Sequence, residues 1–485
     1  MLTSSQAILQ GLAEDGGLYV PTLIPKLGAS WDKLSLLDYK SVAYEVMKLF
    51  LTDFTEAELR SCIDGAYDSK FDTDDIVSIR TAHGAHYLEL FHGATIAFKD
   101  MALSILPRLM TAAARKNGVH DEIVILTATS GDTGKAAMAG FADVEGTRII
   151  VFYPKDGVSP IQERQMVTQK GANTYVVGVR GNFDDAQNGV KAMFENAELK
   201  SLLSKSGFRF SSANSINIGR LVPQVVYYVY AYAQLVKNGV VNSGEPMNVT
   251  VPTGNFGNIL AAHYAKLMGT PIGRLICASN DNRVLTDFFE SGVYDRKRPF
   301  YTTSSPSMDI LISSNLERLI YEITGGSADE NSGYMRSLKT DGKYSITDAE
   351  RAALSDFCGG CADEKEVSAQ IAKVWKSDNY IIDTHTAVAS CVYDKYREAT
   401  GDDTPTVIAS TASPYKFVRS VMGSIIGDCT ARGDFELIDA MSEMSGVPVP
   451  PAIEEIRSAE VRHTRVADKD AMQNAVEDIL GLTAR

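Results

Sequence analysis

Positive charge is the first thing in short supply. The 485 residues carry 47 Lys and Arg against 61 Asp and Glu, a formal net charge of −14. That balance argues against nucleic acid or an acidic membrane surface as the main partner. An anionic small molecule is still compatible with it, because a local basic pocket can sit inside an acidic protein. Long apolar runs are missing as well. Spanning a bilayer takes about 20 apolar residues, and the longest candidate, Val225 to Val236, is interrupted by Gln234 and rich in tyrosine. Met1 to Gln10 is polar and uncharged, without the basic start of a signal peptide or an Arg-rich transit pattern, so a cytoplasmic location is expected. Cysteine is sparse, six in all, which excludes a disulfide framework. Cys358 and Cys361 make one C-G-G-C pair with no second C-x-x-C to complete a zinc site. No metal is expected, and the pair reads as two thiols in a loop between helices. There is no internal repeat, no low-complexity tract, no G-x-x-x-x-G-K-[ST] loop and no G-x-G-x-x-G.

What is present is the composition of an ordinary globular chain, 45% hydrophobic and 22% charged. Its length calls for two or three domains. The first ninety residues read as a helical lead-in, with an amphipathic stretch from Leu36 to Leu51 and a capping box from Thr55 to Glu58. From Met101 onward short apolar strands alternate with helices: Ile123–Thr127, Arg148–Tyr153, Thr174–Val179, Phe208–Ser211, Asn248–Pro252, Arg274–Ser279 and Thr406–Ser410 are the strands. Such alternation predicts an α/β fold with parallel sheets, two in number, covered on both faces. A helix is expected from Ile310 to Glu322. Residues 291–308 and 324–344 read as loops, and the tail beyond 430 as helical. The expected units are an N-terminal, mainly helical 1–98; a large α/β domain from 99–118 and 216–430, with a helical insertion near 310–400; a small α/β domain at 119–215; and a C-terminal helical tail, 431–485.

Chemistry is expected at the carboxyl ends of the strands, where loops meet helix starts. Glu89 to Asp100 reads E-L-F-H-G-A-T-I-A-F-K-D and puts Lys99, flanked by Phe98, just before a helical pattern. Shielding and the positive helix end lower an amine's pKa and make it a candidate nucleophile. Lysines at helix starts are ordinarily solvated, so the rest of the chain has to support this reading. Gly254-Asn255-Phe256-Gly257-Asn258 follows a strand and opens a helix, the composition of a phosphate cup; a bare tight turn is the plainer account. Ser130-Gly-Asp132-Thr133-Gly134 offers groups for a carboxylate or a ring substituent, or simply a helix cap. Thr411 follows the last strand, where a hydroxyl suits a neutral ring nitrogen. The stretch Ser212 to Arg220 is rich in amides and hydroxyls, and Ser307-Met-Asp309 sits at another helix start. His92 and Asp383-Thr-His385 are possible acid–base groups, though a lone histidine is more often structural. A reactive lysine, a separate phosphate cup and polar loops for a ring and a carboxylate are what a pyridoxal phosphate enzyme needs. A nucleotide-binding protein would need the glycine and lysine patterns that are absent. A scaffold would leave the polar loops unexplained.

The chain resembles the threonine synthase family, pyridoxal phosphate enzymes of fold type II with a tryptophan-synthase-β-like architecture. The resemblance runs from Gly11-Leu-Ala-Glu-Asp-Gly-Gly-Leu-Tyr-Val-Pro21 through Leu90–Asp100, Thr129–Gly134, Asn214–Arg220, Pro252–Asn258 and Asp383–His385 to Thr411-Ala-Ser-Pro-Tyr-Lys-Phe417. Two departures stand out: Ala94 where the family usually has Pro, and Ser413 where several members have His. The resemblance implies that Lys99 is the Schiff-base lysine and that Gly254, Asn255, Phe256, Gly257 and Asn258 hold the cofactor phosphate. It implies that Thr411 faces the pyridine nitrogen, and that Ser130, Asp132 and Thr133 receive the substrate carboxylate. Ser215, Asn217, Arg220 and Lys416 become neighbours of the substrate phosphate. The implied reaction turns O-phospho-L-homoserine and water into L-threonine and phosphate, in a monomer or homodimer. The alternative is another lyase of the same fold, such as a threonine or serine dehydratase or a phospholyase.

Overall fold

The computed structural model describes residues 1–129, 132–155, 157–158 and 160–482. Among them the strands are, in chain order, β1 (Ser78–Ala82), β2 (Ala85–Glu89), β3 (Glu122–Ala128), β4 (Thr147–Pro154), β5 (Thr174–Arg180), β6 (Phe208–Ser211), β7 (Met247–Pro252), β8 (Ile272–Ser279), β9 (Val293–Asp295), β10 (Lys343–Ser345), β11 (Phe357–Cys361), β12 (Thr406–Ser410) and β13 (Val466–Asp468). Two main sheets form, ordered β1-β2-β12-β7-β8-β11 and β13-β5-β4-β3-β6, and β9 and β10 make a small ribbon. Only β1–β2 and the ribbon are antiparallel; the other pairings are parallel. The architecture is therefore the expected α/β arrangement of open, mostly parallel sheets covered by helices. The cause is visible in β7 and β12, buried at every position: strands that read as unbroken apolar runs need cover on both faces.

The tyrosine-rich run lies in the helix Ile218–Lys237, where every residue from Ile218 to Ala233 is buried. It is a core helix. Its tyrosine hydroxyls find acceptors, as buried ones must: Tyr232 Oη donates to the Glu245 carbonyl at 2.8 Å. Among the described residues no helix is long and apolar enough to cross a membrane.

Five local expectations are corrected. The N-terminal helices end at Ala66, and residues 78–89 form a hairpin whose turn uses His83 (φ 49°) and Gly84 (φ 71°). Two consecutive positive φ values match the right-handed strand twist, and β2 then pairs with β12. Cys358 and Cys361 lie on strand β11, not in a loop. A Cβ on Gly359 would sit 2.8 Å from the Thr286 backbone and one on Gly360 2.5 Å from Val392, so close packing accounts for both glycines. Three residues apart on a strand, the two thiols face opposite sides and are too far apart to bond. Residues 324–344 contain the helix Ala328–Thr340, while the helix expected from Ile310 begins only at Leu316. The tail adds β13 to the smaller sheet beside β5.

Candidate active site

The loops after β3, β7 and β12 converge on a cavity of about 390 Å³ between the two sheets. Lys99 reaches it from a tight loop. The Asp100 carboxylate accepts from Thr95 N at 2.8 Å and Thr95 Oγ1 at 2.6 Å. Gly93 has no room for a side chain, since a Cβ would meet that of Asp100 at 2.5 Å. Ile96 takes a φ of 52°, rare for a β-branched residue. The loop is then fastened to the end of β12: Phe98 N donates to the Thr411 carbonyl at 2.8 Å and Ser413 N to that of Ile96 at 3.0 Å. These bonds hold the turn at Ala94 without a proline ring. Ser413 is spent on this backbone tie and on capping Tyr415 N.

Lys99 is 8% exposed. Its Nζ donates to Ser307 Oγ at 3.0 Å, which donates to Asp132 Oδ2 at 3.0 Å. Burial pushes the Lys99 amine below its usual pKa; Asp132 opposes the shift, and the charges of Lys416 and Arg220 add to it. Burial alone would raise the Asp132 carboxyl, but Lys416 and Lys99 outweigh it and hold it well below the usual carboxylate range. Asp132 Oδ1 also takes Gln162 Nε2 at 3.1 Å and lies 3.3 Å from Lys416 Nζ, which donates to the Thr95 carbonyl.

The loop after β7 forms the facing wall. Ser313 Oγ donates to the Gly254 carbonyl at 2.6 Å, and Asn315 donates to that of Asn255 from both its backbone N and its Nδ2 at 3.0 Å. A trans peptide points its N–H opposite its carbonyl. The N–H groups of Asn255 and Phe256 are therefore directed away from these clamps, toward the cavity their residues line. Those of Gly257 and Asn258 open the helix Gly257–Met268 and have no acceptor among the described residues. Tyr227 and Tyr228 both donate to Asn258 Oδ1, at 2.8 and 2.5 Å, leaving its buried Nδ2 without a partner among the described residues. The result is an anion cup. Gly254 is required by proximity: a Cβ there would stand 2.3 Å from the Ser307 carbonyl oxygen.

A second cation serves the same cavity. Arg220 is 4% exposed, donates from Nη1 to the Ala213 carbonyl at 2.9 Å, and keeps a buried Nε without a partner among the described residues. Burial pushes its pKa down to about 10. Ser215 lies beside it on the lining.

Of the residues singled out in the sequence, Lys99, Thr133, Ser215, Arg220, Gly254 to Asn258 and Thr411 line the cavity. Asp132 and Lys416 stand behind Lys99. Asn217 does not reach the lining; it caps the core helix at Gly219 N and donates to the Ile8 carbonyl. Ser130 lies outside the described residues. His385 does line the cavity, yet both ring nitrogens are engaged: Nδ1 donates to Asp383 Oδ2 at 2.7 Å and Nε2 accepts from Ser307 N at 3.3 Å. Ser307 is the residue the sequence underplays, visible there only as a polar position at a helix start. His92 belongs to a separate network with Asp72, Ser78 and Glu89.

Residues 1–67 match the family model for the threonine synthase N terminus, residues 87–412 that for pyridoxal-phosphate dependent enzymes, and residues 386–479 that for the threonine synthase C-terminal region. The chain is 39% identical over 434 residues to threonine synthase-like 1 of Homo sapiens, covering 87% of this chain and 58% of that protein, so it spans less than two thirds of that relative. It is 36% identical over 459 residues to threonine synthase of Saccharomyces cerevisiae, covering 88% of this chain and 87% of that one. The crystal structure of pyridoxal-phosphate-bound threonine synthase from Brucella melitensis superposes with a TM-score of 0.87 at 35% identity, over 99% of this chain and 96% of that one. That of the yeast enzyme gives 0.89 at 32%, with the same coverage. By these family models and relatives, the chain belongs to the threonine synthase family of pyridoxal-phosphate dependent enzymes.

Proposed function

We propose that this protein converts O-phospho-L-homoserine and water to L-threonine and phosphate. The observation that carries the reading is one cavity holding a shielded lysine together with two separate anion positions, the cup after β7 and Arg220. The first position fits the cofactor's phosphate and leaves the second for the substrate's.

The donors suit pyridoxal phosphate. Four N–H groups and the unpartnered Asn258 Nδ2 match its phosphate, Lys99 its aldehyde, and the Thr411 hydroxyl its ring nitrogen. When bound, the cofactor supplies an electron sink for charge developing on the substrate carbons. The protein's part is proton traffic and charge placement. Lys99, with its amine pKa lowered by burial, takes the Cα proton and then the Cβ proton and returns one at Cγ and, at the end, one at Cα; water adds at Cβ, and the proton it gives up leaves with the phosphate. Ser307 holds the amine within reach and passes its own hydroxyl proton's hydrogen bond to Asp132, which stays ionised beside it. Asp132 and Thr133 open a helix whose positive end favours the substrate carboxylate. Arg220 and Ser215 receive the departing phosphate. Asn217 supports them by capping the helix that carries Arg220, and Lys416 by holding Asp132. His385 fixes Ser307 through its backbone N–H.

The test is a product assay on protein loaded with pyridoxal phosphate. O-phospho-L-homoserine should yield threonine and phosphate, and Lys99→Ala should lose activity by about a thousandfold. Ketoacid and ammonia as the main products, or an unimpaired Lys99→Ala enzyme, would refute the reading.

A further inference from the structure

The segment Ser313-Ser-Asn-Leu-Glu-Arg318 lies behind the anion cup, and its last residue is a buried cation with an unusual set of partners. Arg318 is 1% exposed. Its Nε donates to the Tyr19 carbonyl at 2.9 Å, its Nη2 to the Ile216 carbonyl at 2.7 Å, and its Nη1 to Asn315 Oδ1. Among the described residues no carboxylate pairs with it. Burying a guanidinium on neutral acceptors alone is costly, and the three acceptors belong to three separate segments. Two of those segments face the cavity: Ile216 lines it, and Asn315 clamps Asn255 of the cup.

We propose that Arg318 is a positioning residue that presets the anion cup and fixes its distance from the facing loop at Asn214–Ile216. The proposal rests on the cup being the site of the cofactor phosphate. The Asn315 amide is the lever. With Oδ1 bound to the guanidinium, Nδ2 has to point the other way, toward the Asn255 carbonyl. A flipped amide would set NH₂ against the cation and oxygen against the carbonyl. The bond to Asn255 keeps that carbonyl out of the cavity and the Phe256 N–H turned in. It also holds Phe256 at a φ of 64°, which a non-glycine residue adopts only under constraint. A lysine has three donors around one point and cannot span three acceptors as a planar fork does. The inference also gives the N-terminal Gly11–Pro21 motif a task that the reaction leaves open: its Tyr19 carbonyl is the third anchor of the guanidinium.

Full-length wild-type, Arg318→Lys, Arg318→Met and Asn315→Ala proteins are titrated with pyridoxal 5′-phosphate and with pyridoxal, which has no phosphate. Binding is read from the absorbance of the lysine-bound chromophore. The wild type should strongly prefer the phosphorylated compound. That preference should fall by about tenfold or more in Arg318→Met and Asn315→Ala, with Arg318→Lys between, while pyridoxal affinity changes by less than about twofold. A merely structural role weakens both compounds alike and leaves the ratio unchanged, which overturns the proposal. If Arg318→Met does not fold, the smaller cut in Asn315→Ala decides on the same ratio. A wild type that does not distinguish the two compounds overturns the phosphate-cup reading itself, and the proposal falls with it.

Discussion

Lys99 owes its character to neighbours drawn from distant parts of the chain. Asp132 favours the protonated amine, and Lys416 and Arg220 favour the neutral one. Replacing Asp132 by Asn removes the negative charge that helps hold the proton on. In cofactor-free protein, acylation of Lys99 should therefore reach half its maximal rate at a lower pH in Asp132→Asn than in wild type. A midpoint that stays put or moves up would contradict the assignment. The shielded lysine is legible in the sequence because Phe98, whose ring lies beneath its Nζ, is its neighbour in the chain. Its relay is not. Ser307 comes from a stretch rich in Ser, Thr and Pro whose composition says only "loop", and His385 sits two residues after a helix cap that already explains Asp383. The Asp132–Lys416 pair joins positions that no sequence spacing relates.

At the scale of elements, the cup after β7 is where glycine is used for closeness. Gly254→Ala would force a Cβ to within 2.3 Å of the Ser307 carbonyl oxygen. It should cost roughly 1–3 kcal/mol of stability and weaken cofactor binding, measured by thermal melts with and without pyridoxal phosphate. An alanine variant that melts and binds like wild type would mean that the two loops separate freely. Strands β3 to β8 and β12 are readable because most of them are short, nearly continuous apolar runs. The elements that escape the reading lack that signal. The β1–β2 hairpin hides its turn in A-H-G-A, where histidine supplies one of two positive φ values. β11 carries two glycines and two cysteines, a composition that suggests a turn; only the packing against Thr286 and Val392 explains it.

For the molecule as a whole, the His92 network joins parts that the cavity does not. His92 Nδ1 meets Asp72 at 2.6 Å and Nε2 meets Ser78 at 2.9 Å, while Tyr380, from the far side of the large sheet's insertion, donates to Glu89 at 2.8 Å. Burial disfavours the His92 charge, but Asp72 and Glu89 outweigh it and push its pKa up to about 9. The folded chain then holds a proton that the unfolded chain releases from about pH 6.5. The stabilisation is complete below pH 6.5 and is lost as pH rises through 9, a change of about 3 kcal/mol. The apparent Tm of wild type should fall across that window more steeply than that of His92→Gln, and a constant difference between the two would rule the network out as its source. The backbone ties between the Lys99 loop and the end of β12 bear on biosynthesis. Phe98 emerges from the ribosome early and its acceptor, Thr411, late, so the lysine waits unassembled for most of translation. Contacts so distant in sequence form slowly. Cofactor capture is therefore a completion signal: on refolding, the chromophore should appear after helix content has recovered, and chains that stop short of residue 411 should stay colourless.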